Sequence, residues 1–489
     1  MVYLSKSKYV KQLQCEKLLW LDTNKREAAE YSSDSLRRFG AGNRVGELAK
    51  EFFGAYADMT ATRADGRLDI KQMKANTAAA LARGESVIAE AALDAQGLYC
   101  AVDILKKTEC GYAVYEVKSS LHVKAAHIVD AAYQMYVLGL HGLNVIGCNI
   151  ITLDGGYVRE GALDLQKLFK VHDITEQAAA HIPVIEKNIA RARDVLSSGA
   201  EPDIACGRHC YTPYECPYIN YCSGGSRESS IFEIYERKHE WEEKGYRTMR
   251  ELLESGEPLT EIQRRQIEHT LTDLPVYADK SGIERFLSGV SYPLYFLDFE
   301  TAMPEIPEFD GASPYTVLPF MFSLHYMKKA GELQHYEILS EKADPRREIA
   351  EALAENLSAD GCIVAYNAAF ERKMIRGLAE QFPDLAEKLR PLCDRFIDFL
   401  DVFKGGLVYT KEMGGSFSLK SVAPALLGKE NIGYAGLSLV RDGNEAVSAY
   451  AELRRGGDNA EEIRRALYEY CRTDTLALVK ILEKLNEIK

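Results

Sequence analysis

The spacing of apolar residues divides the chain into helix-forming and strand-forming stretches. The opening segment, YLSKSKYVKQLQCEKLLWL, carries its apolar residues at helical spacing and predicts an amphipathic helix. Alternating and continuous apolar runs near 86–119 predict strands. A helix near 122–141 and a strand near 144–153 follow, then further helical segments. Residues 228–280 are dense in Glu, Lys and Arg, and their apolar positions again fall at helical spacing, which predicts a helical connector. A second strand-rich region opens at Tyr292 with YPLYFLDFET. From there to Lys489, strand-like and helical runs alternate, the pattern of an α/β domain.

A chain of 489 residues exceeds what one hydrophobic core usually organises, so two domains are expected. The N-terminus lacks the apolar core of a signal peptide. The most apolar stretch, Tyr136 to Leu153, is interrupted by His141, Asn144, Asn149 and three glycines. It reads as a helix end, a turn and a buried strand, so no membrane association and a cytoplasmic location are expected. A net charge of −13 argues against indiscriminate nucleic-acid binding, yet it is compatible with clustered carboxylates that hold metal ions. Disulfides are not expected in such a compartment. Cys100, Cys110, Cys148, Cys362, Cys393 and Cys471 are scattered and read as small buried hydrophobes. Cys206, Cys210, Cys216 and Cys222 crowd into seventeen residues and read as something else.

The strongest chemical pattern lies in the C-terminal part. Leu294 to Thr301 reads as a buried strand with Asp298 and Glu300 two apart, hence on one face. Two acids on an otherwise apolar face are costly unless a cation sits between them. IVAYNAAFERKMI follows as a strand running into a helix, with Asn367, Phe370 and Glu371 at the junction. LYEYCRTDTLALVKIL is a helix that carries Tyr470 and Asp474 four apart, on one face. Four carboxylates (Asp298, Glu300, Glu371, Asp474) from three elements can bind two Mg²⁺ or Mn²⁺ ions, with Tyr470 orienting the attacking water. The motifs LDFET, YNAAFE and YCRTD resemble those of the DnaQ-like DEDD exonucleases of the ribonuclease-H-like fold, in their tyrosine subgroup, over about 290–489. That family usually has Asp where this chain has Glu371, a departure expected to alter rate and metal preference. SFSLKSVAPALL stands where such enzymes carry a substrate-side helix; Ser418 and Lys420 read as phosphate contacts or as a solvated helix start.

The N-terminal part carries a looser pattern. AVDILKK places Asp103 in a strand, and GYAVYEVKSS places Glu116 and Lys118 on one face of the next. This resembles the metal-and-lysine arrangement of restriction-type nucleases, in which the acids hold the metal and the lysine stabilises charge. Glu47, in the helical run GNRVGELAKEFF, is a candidate additional ligand, and Gln134, in DAAYQMYVLGL, a candidate site residue. Cys15 in the first helix together with Cys210, Cys216 and Cys222 resembles the iron–sulfur-stapled RecB-like nucleases of the PD-(D/E)XK superfamily, including CRISPR-adaptation and AddB types. That resemblance implies a [4Fe–4S] cluster on those four cysteines, with Cys206 as a fifth thiol nearby. From the thiols alone, structural Zn²⁺ is the alternative.

Taken over nearly its full length, the chain resembles an uncharacterised bacterial family that fuses a RecB-like nuclease to a DnaQ-like exonuclease. The runs YLSKSKYVKQLQC, EVKSS, PYECPYINYC, LDFET, FSLHY and YNAAFE carry that resemblance. The expected organisation is a restriction-endonuclease-like domain at 1–227, a helical connector at 228–280 and a ribonuclease-H-like domain at 281–489. The expected activity is metal-dependent hydrolysis of phosphodiesters, the C-terminal domain trimming single-stranded DNA from its 3′ end. The alternatives are RNA as substrate, or one catalytic domain with the other serving as a binding or scaffold module in a repair or defence complex.

Overall fold

The strand-forming runs of the first half assemble into one mixed sheet. Its strands are β1 (Leu4–Ser5), β2 (Ala57–Asp58), β3 (Val87–Ala95), β4 (Leu98–Lys107), β5 (Tyr112–Val117), β6 (Val145–Leu153) and β7 (Phe169–Asp173). They lie in the order β2-β3-β4-β5-β6-β7, with β1 pairing in parallel with β4. β3, β4 and β5 are antiparallel neighbours, whereas β5 and β6 are parallel, joined through the helix Ala125–His141. Such a parallel pair needs a crossover, and the helix supplies it. Its face carrying Ala131, Ala132, Tyr133, Val137 and Leu138 is buried in the core. There Tyr133 stacks on Tyr9 of the first helix, with ring centroids 4.8 Å apart.

This computed structural model describes residues 3–223, 229–272, 274–437 and 439–489. Its chain forms two compact units, Met1–Gly225 with Pro304–Thr316, and Ser226–Met303 with Val317–Lys489. The expected boundary at 227/228 lies outside the described residues. No helix among the described residues is long and apolar enough to cross a membrane.

The second unit is built on a five-stranded mixed sheet, order β11-β10-β9-β12-β13. Preceded by β8 (Tyr277–Ala278), these strands are β9 (Leu294–Ala302), β10 (Leu318–Met327), β11 (Leu333–Leu339), β12 (Cys362–Ala365) and β13 (Phe396–Asp398). β9 is antiparallel to β10 and parallel to β12. Alternate residues of β9 serve different cores. Leu294 and Phe296 join the cluster that includes Leu478, Ile481 and Leu482 of the helix Ala460–Ile488, while Tyr295 and Leu297 join a second cluster with Ile375 and Leu378.

Residues expected as a connector pack into this second unit. Ile231, Ile234, Trp241, Met249, Leu252 and Ile267 bury one another in a small core of their own. β8 pairs with β14 (Val408–Tyr409), and Arg265 donates to the Gly406 carbonyl at 2.6 Å. A stretch that closes its own core has no reason to behave as a tether. In the other direction, the excursion from β9 to β10, Pro304–Thr316, belongs to the first unit rather than to the expected 281–489 domain. Glu305 is buried there against Arg44 at 2.7 Å, and the backbones of Arg159, Gly311 and Ala312 exchange hydrogen bonds of 2.9 Å. The Tyr315 hydroxyl donates to the Ser119 carbonyl.

Candidate metal centres

The parity of β9 decides the C-terminal site. Asp298 and Glu300 continue the row of Leu294 and Phe296, so both carboxyls emerge on the face covered by the helix Ala460–Ile488. That helix brings Tyr470, Cys471 and Asp474 onto the same face, all buried. One ligand atom each from Asp298, Glu300 and Cys471 lies within 4.8 Å of the others, and the Cys471 thiol also meets the Asp298 carbonyl.

Glu371 arrives by a different route. After β12 the chain turns at Asn367, whose φ of 68° is left-handed, a conformation that Asn tolerates better than most residues. The Asp398 carboxylate holds the turn by accepting the N–H groups of Asn367 and Ala368, each at 2.9 Å. This aims the first turn of the helix Ala369–Gln381, and with it Glu371, at the acids of β9. Asp298 feels the charges of Asp474, Glu300 and Glu371.

The electrostatics are those of a site short of positive charge. Burial, and then repulsion by Asp474, Glu300 and Glu371, pushes Asp298 well above the usual carboxylate range. Burial followed by Asp474 raises Glu300 to about 8, and burial followed by Asp398 raises Glu371 to about 8. The Glu371 Oε2 atom is buried without a hydrogen-bond partner. A buried acceptor with no donor, close to the carboxyl of Asp298, fits a hard divalent cation with oxygen ligands. Cys471 adds a soft donor at the same place.

Two residues stand out only in three dimensions. Lys420, in the first turn of the helix Leu419–Leu427, is not a solvated helix start: its ammonium donates to the Tyr470 hydroxyl at 2.6 Å and lies 4.4 Å from the ring centroid. It is the cation that offsets Asp298, Glu300 and Asp474. Ser418 caps the same helix and bonds to Ser421 at 3.0 Å. Tyr434 donates to Asp474. No sequence signal marks Tyr434, which lies forty residues away from its partner.

Beneath the acids, β10 and the helix Ala460–Ile488 are joined by a buried polar network. Thr475, next to Asp474, bonds to Ser323 and to His325 Nδ1, each at 2.8 Å, and Ser323 bonds to His335 at 3.0 Å. Burial, then the neighbouring His335 and Arg472, hold His325 neutral down to about 4, below the ordinary histidine range. Protons therefore bind the unfolded chain first, so this histidine stabilises the fold above the unfolded value and loses that contribution as pH falls toward 4. Between about pH 6.5 and pH 4, His325 therefore opposes the stabilisation that protonation of the raised carboxyls of Asp298, Glu300 and Glu371 gives as pH falls. In His325→Gln, the melting temperature of the second unit should gain on that of the wild type as pH falls through this window, when thermal unfolding is followed by circular dichroism; a difference between the two that does not change with pH would remove His325 as a contributor.

In the first unit, the pair Ile104↔Tyr115 sets β4 against β5 so that Asp103 stands one step along from it, opposite Glu116. The Val117 N–H donates to Asp103 at 2.7 Å. Glu116 is buried; its Oε1 accepts from Lys118 at 2.8 Å, and its Oε2 accepts from Gln134. Lys118 also donates to Asp130 at 2.5 Å. Asp130 and Gln134 share one face of the helix Ala125–His141, an i,i+4 spacing readable in the sequence although only Gln134 was expected. Burial and then Glu116 push Asp103 up to about 7. Burial opposes ionisation of Glu116 as well, but Lys118 and Lys6 outweigh it and hold that carboxyl low. The Gln134 Oε1 atom is buried with no partner, an acceptor available to a cation.

Glu47 does not join this group. It is 70 % exposed and pairs with Lys50 at 2.8 Å, which also binds Asp58 at 3.0 Å. Between the two groups stands Glu90, a carboxyl that sequence reasoning missed. It sits in β3 at a left-handed φ of 54°, and it feels the charges of Lys50, Asp58, Glu47 and Lys6. The signal was an acid inside an apolar strand, VIAEAAL.

Cys15, Cys206, Cys210, Cys216 and Cys222 converge although about two hundred residues separate the first from the rest. Cys15 lies in extended backbone between the helices Lys6–Gln14 and Glu16–Asn24. Gln14 bonds to the His209 carbonyl at 2.8 Å and the Tyr214 carbonyl at 2.7 Å, tying the two ends together. Burial, then Cys210, Cys15 and Cys206, raise the Cys216 thiol to about 12, while Cys206 lies in contact with Cys210 and Cys222. All are free thiols. Cys210 and Cys216 are buried, Cys15, Cys206 and Cys222 are half-buried, and a hydrogen bond from Cys206 lowers the Cys222 thiol. Such a gathering of thiols fits a soft, thiolate-binding metal group, and Cys206 lies among the four expected ligands.

A family model described only as a domain of unknown function (DUF2779) matches residues 295–418, a span that holds Asp298, Glu300, Glu371 and Asp398 and stops short of Lys420, Tyr470 and Asp474. No curated protein matches the chain.

Proposed function

We propose that this protein is a metal-dependent nuclease whose second unit removes nucleotides from the 3′ end of single-stranded DNA. The observation that carries the reading is the convergence of Asp298, Glu300, Glu371 and Asp474 from three separate elements, with Tyr470 among them. The mixed sheet with Asp298 and Glu300 on its central strand is compatible with a ribonuclease-H-like domain, and the first unit's sheet with a PD-(D/E)XK domain. Divalent cations held by such oxygens neutralise the charge of a phosphodiester displacement and activate water. Lys420 holds the Tyr470 hydroxyl where it can orient a nucleophile, and its charge offsets negative charge that develops nearby. In the first unit, Glu116 and Asp130 keep Lys118 protonated, so it serves to stabilise charge rather than to accept a proton. The converging thiols would hold a [4Fe–4S] cluster, or Zn²⁺, as a clasp.

The test is digestion of 3′-labelled and 5′-labelled single-stranded oligonucleotides with Mn²⁺, wild type against Asp298→Ala, with an RNA of the same sequence alongside. Stepwise 3′ shortening absent in the variant supports the reading, and cutting that survives belongs to the Lys118 site. No cutting of either polymer would sink it. One observation favours a second reading in which the first unit binds nucleic acid without cutting: Glu116 is already saturated by side-chain donors. Glu116→Ala in the Asp298→Ala background separates the two, since only a cutting site would lose residual activity.

A further inference from the structure

The lysine at the start of the first helix reaches the N-terminal acids across more than a hundred residues of sequence. Parallel pairing of Leu4 with Leu98 and Ser5 with Tyr99 lays β1 beside the strand of Asp103. The Tyr133 hydroxyl donates to the Leu4 carbonyl at 2.6 Å, and Ser5 caps the helix at the Lys8 N–H. Thus fixed, the Lys6 ammonium donates to Glu116 Oε1 at 2.8 Å, the same oxygen that Lys118 occupies at 2.8 Å. Lys6 faces Glu116, Asp103 and Asp130 together. Glu116, Asp103 and Asp130 against the two ammonium groups leave at most one net negative charge, too little to hold a divalent ion tightly against a resident cation. A phosphodiester would bring the missing negative charge.

Resting on the nuclease reading of this unit, we propose that Lys6 competes with the divalent cation for Glu116 and so couples metal loading to arrival of the nucleic acid. Lys6 is then a positioning residue. It keeps Glu116 in place while the site is unloaded, and it yields the oxygen when a phosphate adds its charge. The orphaned Gln134 Oε1 offers the incoming ion a further oxygen beside that carboxylate.

The test is Mn²⁺ binding followed by electron paramagnetic resonance in the full chain, with the other site silenced by Asp298→Asn and Asp474→Asn. Affinity is measured with and without a phosphorothioate oligonucleotide, for Lys6, Lys6→Met and Lys6→Arg. With Lys6 present, the oligonucleotide should tighten Mn²⁺ binding by at least about tenfold, as removal of like-charge repulsion at contact distance allows. Lys6→Met should bind Mn²⁺ about tenfold more tightly without the oligonucleotide and gain little from it, whereas Lys6→Arg should preserve the coupling. If Lys6→Met binds Mn²⁺ no tighter, or more weakly, Lys6 is only a structural prop and the proposal falls with the nuclease reading intact. Failure of every variant to bind Mn²⁺ would overturn the metal site itself.

Discussion

Asp298→Asn should abolish Mn²⁺-dependent 3′ shortening and, at the same time, raise the melting temperature of the metal-free protein. The two effects share a cause. Asp298 is flanked by Asp474, Glu300 and Glu371 and is opposed by the ammonium of Lys420. In the absence of a cation, that arrangement is repulsive, and an amide of the same shape relieves it. An increase of about 3–5 °C is expected, which corresponds to about 1–2 kcal/mol in a unit of this size. The rate should fall by at least about 10²–10³, as for loss of one preorganised electrostatic group in an active site. Oligonucleotide digestion and calorimetry on the same preparation check both halves. Lost activity with an unchanged or lower melting temperature would mean that the acids are not held against their own repulsion. Retained activity would remove Asp298 from the chemistry altogether.

If the thiols hold the proposed metal group, Cys216→Ser, or oxidative loss of that group, should unfold the first unit well before the second. Cys15 and the later thiols close a loop that spans most of that unit, and the entropy of such a loop is substantial. A covalent closure of about 100 residues contributes about 4–5 kcal/mol, so the first unit's transition should fall by about 10 °C or more. The second unit has separate cores around Phe296 and Ile375, and its transition should stay in place. Scanning calorimetry reads the split, while iron and zinc analysis together with visible absorbance separates [4Fe–4S] from Zn²⁺. The clasp also carries Tyr214, whose phenol feels Lys118, Asp130 and Glu116. Its loss should therefore disable the N-terminal site as well. One unchanged transition in the variant would refute the clasp.

Much of this arrangement could be read from the chain because its determinants are local. Strand parity placed Asp298 with Glu300, and Glu116 with Lys118; helical spacing placed Tyr470 with Asp474. The cysteines were legible for the same reason, since four thiols in seventeen residues depart from ordinary usage. What local periodicity does not contain is which distant element faces a given side chain. Glu47 lies on a suitable helix yet turns toward Lys50, whereas Glu90, unremarked in a neighbouring strand, stands between Lys50 and Lys6. Lys420 resembled any basic residue at a helix start until Tyr470 was packed against it.

The division of the chain follows the same logic. Apolar spacing alone determined that helices recur over 231–272, that strands begin again near Tyr292 and that acids emerge from buried strands, because each depends on neighbours within a turn or a pleat. Only tertiary structure decided that 228–280 closes a core within the second unit, that Pro304–Thr316 belongs to the first, and that Lys6 rather than Glu47 meets Glu116. Those outcomes depend on contacts between residues tens to hundreds of positions apart. Burial and charge pairing select among them only after the sheets have formed.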